Sequence, residues 1–141
     1  MGGVVANVLS QLEKDLQKAD ARVTVPSAWP EVTGVATWLA VIWSNLIRNA
    51  AQHAGPAAKI HLQWESEDDF IKFSLSDQGP GIEDTRTSSL FAPFEKLHAL
   101  HVAGLGLSFV QRLVSLQGGV CGYQKSAEGG ARFYFTLPAL R

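Results

Sequence analysis

The feature that most constrains this chain is a change of apolar period partway along it. Val35, Leu39, Ile42, Leu46 and Ala50 recur at three- and four-residue intervals, the spacing of one helical face. Gly55-Pro56 stops that pattern. Residues 59–64 and 70–76 then alternate apolar with polar side chains, as strands with one buried face do. A helix with one apolar stripe and a sheet with one apolar face each need a cover. Stacking one on the other in two layers supplies both.

The remaining segments extend this plan. Residues 4–20 carry Val5, Val8, Leu9, Leu12 and Leu16 at helical spacing with charges between them. Residues 22–25 are short and β-branched, and Pro26 stops them, which predicts an edge strand. Thr33 or Gly34 is expected to open the long helix. The acidic run Glu65-Ser66-Glu67-Asp68-Asp69 reads as a hairpin turn. Residues 77–81 break the strand, and 85–104 show little periodicity. Residues 105–116 are helical, stopped by Gly118-Gly119. A last hairpin pairs 120–124 with 132–137. The expected fold class is α/β (α+β): a two-layer sandwich whose mixed, largely antiparallel five-stranded sheet is covered on one face by three helices.

Composition narrows the function classes. With 141 residues, 46% of them apolar and 18% charged, the chain suits one globular domain. Residues 4–141 are read as that domain, and Met1–Gly3 as a scar or linker before it. The net charge is -1 without a block of like charge, so nucleic acid is not the expected partner. No run approaches the roughly 20 apolar residues of a membrane span, and the amino terminus lacks the order of a signal peptide. Cys121 has no second cysteine to pair with, which fits a reducing, cytoplasmic compartment. The parent protein, by contrast, is compatible with a membrane anchor.

Four segments carry chemistry. Asn45-Leu-Ile-Arg-Asn49-Ala-Ala-Gln52-His53 lies on the long helix, where residues four and seven or eight apart share a face. This wall is either a solvated surface or one side of a cleft. In a cleft, carboxamide oxygens are hard ligands suited to Mg²⁺. Asp77-Gln-Gly79-Pro-Gly81-Ile82 directly follows a strand. It is either a plain Asp-Gly turn or a place where a carboxylate takes an exocyclic amine such as that of adenine. Leu90-Phe91-Ala-Pro93-Phe94-Glu-Lys96 suggests a loop pinned by aromatics, with Lys96 available to a phosphate. Gly104-Leu105-Gly106-Leu107-Ser108 opens a helix, and free amides at a helix start bind anions.

In this order and at this spacing, the four segments resemble the ATP-binding catalytic domain of bacterial sensor histidine kinases. That domain belongs to the superfamily shared with DNA gyrase, heat-shock chaperone and mismatch-repair ATPases. Leu113-Val-Ser-Leu116-Gln-Gly-Gly119 and the terminal Phe-Tyr-Phe-Thr-Leu-Pro extend the likeness across residues 4–138. The resemblance implies a Bergerat-type ATP-binding fold with ATP and Mg²⁺ as cofactors. It implies that Asn49 ligates Mg²⁺, with Asn45 as a second candidate on the same wall beside Gln52 and His53. Asp77 would take the adenine amine, and Gly79, Gly81 and Ile82 would shape the base pocket. Gly104, Leu105, Gly106 and Leu107 would hold the phosphates, with Lys96 at the start of a lid over residues 96–103.

The same resemblance implies an acceptor histidine on a separate dimerisation domain of the parent protein, and a response regulator downstream. No segment here resembles that acceptor helix, so none of His53, His61, His98 and His101 is expected to be phosphorylated. The fragment is therefore expected to be monomeric and to lack autophosphorylation when alone. Two positions depart from the pattern: Gln52 replaces a common lysine, and Ala131 a common threonine. A hydrolysing relative would carry a glutamate where Asn45 stands, and a carboxamide cannot serve as a general base. An anti-sigma-type serine kinase of the same fold and a degenerate docking module that transfers nothing are the alternatives.

Overall fold

A computed structural model of the chain describes residues 1–53, 57–77, 107–125 and 131–140. Among them the order is α1 (Gly2–Gln11), α2 (Glu13–Lys18), β1 (Arg22–Thr24), α3 (Ala36–His53), β2 (Lys59–Glu67), β3 (Phe70–Ser76), α4 (Leu107–Leu116), β4 (Cys121–Lys125) and β5 (Ala131–Pro138). The strands form a single sheet in the order β1-β2-β3-β5-β4. β1 runs parallel to β2, and the other three pairs are antiparallel. A parallel neighbour demands a crossover between the two strands, and α3 supplies it. The expected mixed, largely antiparallel sheet is the one found.

Alternation along the strands decides which face the helices cover. Ile60 and Leu62 on β2, Phe73 and Leu75 on β3, and Phe133, Phe135 and Leu137 on β5 are all buried. They join Leu39, Ile42, Leu46 and Ile47 of α3 and Leu107, Val110 and Val114 of α4 in one core. At its centre the Trp43 ring meets Phe135 edge-on at 5.1 Å, and Phe135 stacks on Phe73 at 5.2 Å. Trp29, from the segment between β1 and α3, closes over this pair at 6.0 Å from Trp43 and 6.1 Å from Phe73. Edge-on and offset aromatic contacts of this kind add to the stabilisation from area burial alone.

Three local readings are corrected. The first expected helix breaks at Leu12, whose φ and ψ are -93° and 3°. α1 buries Val5 and Val8, whereas α2 has no fully buried residue and rests Leu16 only partly buried against the core. α3 begins at Ala36, later than Thr33 or Gly34, and Val35 leaves the apolar stripe at 42% exposure. The five-residue acidic turn tightens to two residues. Glu67 pairs with Phe70, and Asp68 adopts a φ of 55°, a left-handed conformation that aspartate tolerates. Glu65, Ser66 and Glu67 thereby extend β2. At the amino terminus Met1 Sδ accepts a hydrogen bond from Trp43 Nε1 at 3.2 Å, so the first residue packs on the domain. Among the described residues, no helix is long and apolar enough to cross a membrane.

Candidate nucleotide site

α3 places Asn45 and Asn49 one turn apart, as the sequence spacing requires. The two side chains have different surroundings. Asn49 is 2% exposed and lies between the core residues Leu46 and Ala50, so the reading as a solvated face fails for it. A buried carboxamide without partners would cost roughly 1–3 kcal/mol, and Asn49 has a polar partner. Asn45 is half-buried, and its Nδ2 donates to Val41 O at 2.9 Å. Only the nitrogen of a carboxamide can donate to a carbonyl. Asn45 Oδ1 is therefore the end left to accept a donor or a cation.

Asp77 stands at the first position beyond β3 and is 5% exposed. β3 is an inner strand with β2 on one side and β5 on the other, which explains how a residue at its end stays out of water. Like Asn49, Asp77 has a partner within the chain. Leu107 is the first residue of α4, and its side chain is fully buried. Only its backbone can therefore serve a ligand. The first turn of α4 contains no acidic side chain, so no carboxylate of that turn offsets the positive end of the helix dipole.

Asn49, Asp77 and Leu107 thus sit buried on three elements of one sandwich. Gln52 and His53 fall in the last turn of α3. Gly79, Gly81, Ile82, Lys96, Gly104, Leu105 and Gly106, with the lid over residues 96–103, lie outside the described residues. Among the described residues no group of His, Cys, Asp and Glu side chains could hold a metal by itself. One relationship that sequence reasoning missed governs this wall. Val35 N–H, at the head of α3, donates to Gln117 Oε1 at 2.8 Å across 82 positions.

Comparison with known proteins agrees with this fold. Residues 34–141 match the family model described as "Histidine kinase-, DNA gyrase B-, and HSP90-like ATPase". The sensor protein PfeS of Pseudomonas aeruginosa is 35% identical over 103 residues, covering 72% of this chain and 23% of PfeS. Cyanobacterial phytochrome A of a Nostoc species is 30% identical over 148 residues, covering 95% of this chain and 19% of that protein. The chain therefore spans about a fifth of the length of these two relatives. Among solved structures, the catalytic domain of histidine kinase ThkA superposes with a TM-score of 0.82 at 23% identity, covering 99% of this chain and 92% of that one. Full-length ShkA in complex with AMPPNP gives 0.78 at 26% identity, covering 97% of this chain and 29% of that one. The chain belongs to the histidine kinase-, DNA gyrase B- and HSP90-like ATPase family, and its fold is that of a histidine kinase catalytic domain.

Proposed function

We propose that this chain binds Mg-ATP and donates the γ-phosphate to a histidine on a separate dimerisation domain, as the catalytic module of a sensor kinase. The observation that carries this reading is the burial of two polar side chains, Asn49 and Asp77, at 2% and 5% exposure. They stand where the family motif has its metal ligand and its adenine acceptor. Well-packed apolar side chains often stabilise a core as well as buried polar ones do, so stability alone does not account for this pair. Recognition gives them a purpose.

In this reading Asp77 accepts the adenine amino group, and the carboxamide oxygens of Asn49 and Asn45 would hold the metal. Magnesium, when bound, offsets phosphate charge. The amides at the start of α4 hold the phosphate chain in line with the incoming imidazole. The imidazole nitrogen forms the new bond to phosphorus as the bond to the β–γ bridging oxygen breaks, and ADP leaves. Asn45 cannot take a proton from water, so transfer to an acceptor is favoured over hydrolysis. The reading implies a cytoplasmic domain and a response regulator downstream. ThkA, a fold relative, was solved in complex with its response regulator TrrA.

Gln52, in place of a lysine that would reach the phosphates, favours a second reading, a nucleotide-binding docking module. Titrating ATP with and without Mg²⁺, then mixing the chain with acceptor domains and radiolabelled ATP, separates the two. Acid-labile, base-stable label on a histidine supports transfer. Tight Mg-ATP binding without label on any acceptor supports docking. Label on serine would point to the related serine kinases, and no nucleotide binding would end both readings.

A further inference from the structure

A second feature lies at the end of the sheet remote from Asp77. Phe70 opens β3 and Asp77 follows its last residue, so roughly 20 Å of strand separates them. At the Phe70 end a groove of about 720 Å³ runs between the β2–β3 turn and the loop from α4 to β4. Asp68, Asp69 and Phe70 line one side, Gly119 and Val120 the other, with Thr136 between them.

Both walls are fixed by backbone bonds. Thr136 N–H donates to Val120 O at 2.8 Å, and Val120 N–H donates to Thr136 Oγ1 at 3.0 Å. With its backbone satisfied, Val120 is left with an isopropyl group 63% exposed. Gly119 passes so close to β5 that a Cβ there would stand 1.7 Å from Thr136 O. On the opposite wall Ala139 N–H donates to Asp69 O at 2.8 Å, and Phe70 is 38% exposed. The groove is thus preformed, and two sizeable apolar side chains line it while still facing water. Its volume suits a few side chains.

The charge around it selects the occupant. Four carboxylates fall within the five positions 65–69. Lys72 pairs with Glu67 at 3.9 Å and lies over the Tyr134 ring at 4.5 Å, and Asp69 has a partner of its own within the chain, which leaves Glu65 and Asp68. The remaining negative field disfavours nucleic acid and anionic lipid. We propose that this groove docks a segment of a partner protein in which a lysine or arginine adjoins a large apolar side chain. The apolar group would rest on Phe70 and Val120, and the cation would face Asp68. Docking at this end leaves the Asp77 end open.

The test is a titration of the ¹⁵N-labelled chain with acetyl-Leu-Arg-Leu-Arg-amide, with acetyl-Leu-Gln-Leu-Gln-amide as the neutral control. Amide shifts are expected at residues 67–70, 118–120 and 136, with affinity about threefold lower for the neutral peptide. Asp68→Asn should weaken the basic peptide by about threefold, and Val120→Ser by about fivefold. Both variants should fold, because asparagine tolerates the left-handed backbone of position 68 and Val120 is exposed; their amide spectra check this. No shifts, shifts centred elsewhere, an equal response to the neutral peptide, or full affinity in either variant would overturn the proposal.

Discussion

Gln117 ties the head of α3 to the tail of α4 by way of Val35. Its Oε1 accepts from Val35 N–H at 2.8 Å, and its Nε2 donates to Leu113 O at 2.9 Å. One carboxamide therefore satisfies a donor at the start of α3 and a carbonyl near the end of α4, both of which the helices leave unpaired. It also explains why α3 starts where it does: with its N–H held from outside, Val35 becomes the residue before the first turn. Because α3 carries Asn45 and Asn49, a residue late in the chain sets the origin of the candidate site's wall.

Gln117→Ala removes both bonds and should lower stability by about 1–2 kcal/mol, the size of a lost helix cap. The measurement is the urea midpoint at constant m-value. Gln117→Glu keeps the acceptor for Val35 but loses the donor to Leu113 O. It should fall between the two. An alanine variant with the wild-type midpoint would show that this link carries no stability.

How much of this was legible in the sequence depends on whether the cause was local. The stripe from Leu39 to Ala50 and the alternation through β2, β3 and β5 are local periodicities, and the layers follow from them. β1 was legible because Val23 is β-branched and Pro26 forbids extension. The Gln117–Val35 bond was not, because its partners lie 82 positions apart. The break at Leu12 was not, because the apolar spacing runs through it unbroken. Within the site, spacing put Asn45 and Asn49 on one face, yet could not tell that Asn49 is buried while Asn45 bonds back to Val41. The motifs at Gly79 to Ile82 and Gly104 to Gly106 were read from the sequence and lie outside the described residues.

Cys121 gives a pH-dependent outcome. It sits partly buried on β4, opposite Phe135, and burial pushes its thiol from 9.0 up to about 11 because the thiolate would lose its hydration. At pH 8 the folded chain should hold roughly a hundredth of the thiolate of an unfolded one, and iodoacetamide should react about a hundredfold more slowly with it. Since the folded value is raised, the contribution to stability is present below pH 9.0 and lost as pH rises toward about 11. Equal alkylation rates in native buffer and in urea would contradict the burial.

Asp77 and Asn49 should fail in different ways if they serve the same ligand from different ends. Asp77→Asn replaces one acceptor oxygen of the carboxylate with a donor nitrogen and removes the charge. ATP affinity should fall by at least ~1.5 kcal/mol, the order of a charge-assisted hydrogen bond. The loss should be equal with and without Mg²⁺, because the base lies away from the phosphates. Asn49→Ala removes the carboxamide oxygen. ATP binding without metal should survive, while the tightening that Mg²⁺ brings should vanish. Asn49 is buried, so truncation also leaves its partner unsatisfied, at about 1–3 kcal/mol of stability; a thermal melt separates that cost from the metal effect. Isothermal titration of each folded variant in magnesium and in EDTA reads all four affinities. Asp77→Asn with wild-type affinity would remove Asp77 from the base pocket, and a full magnesium response in Asn49→Ala would remove Asn49 from the metal.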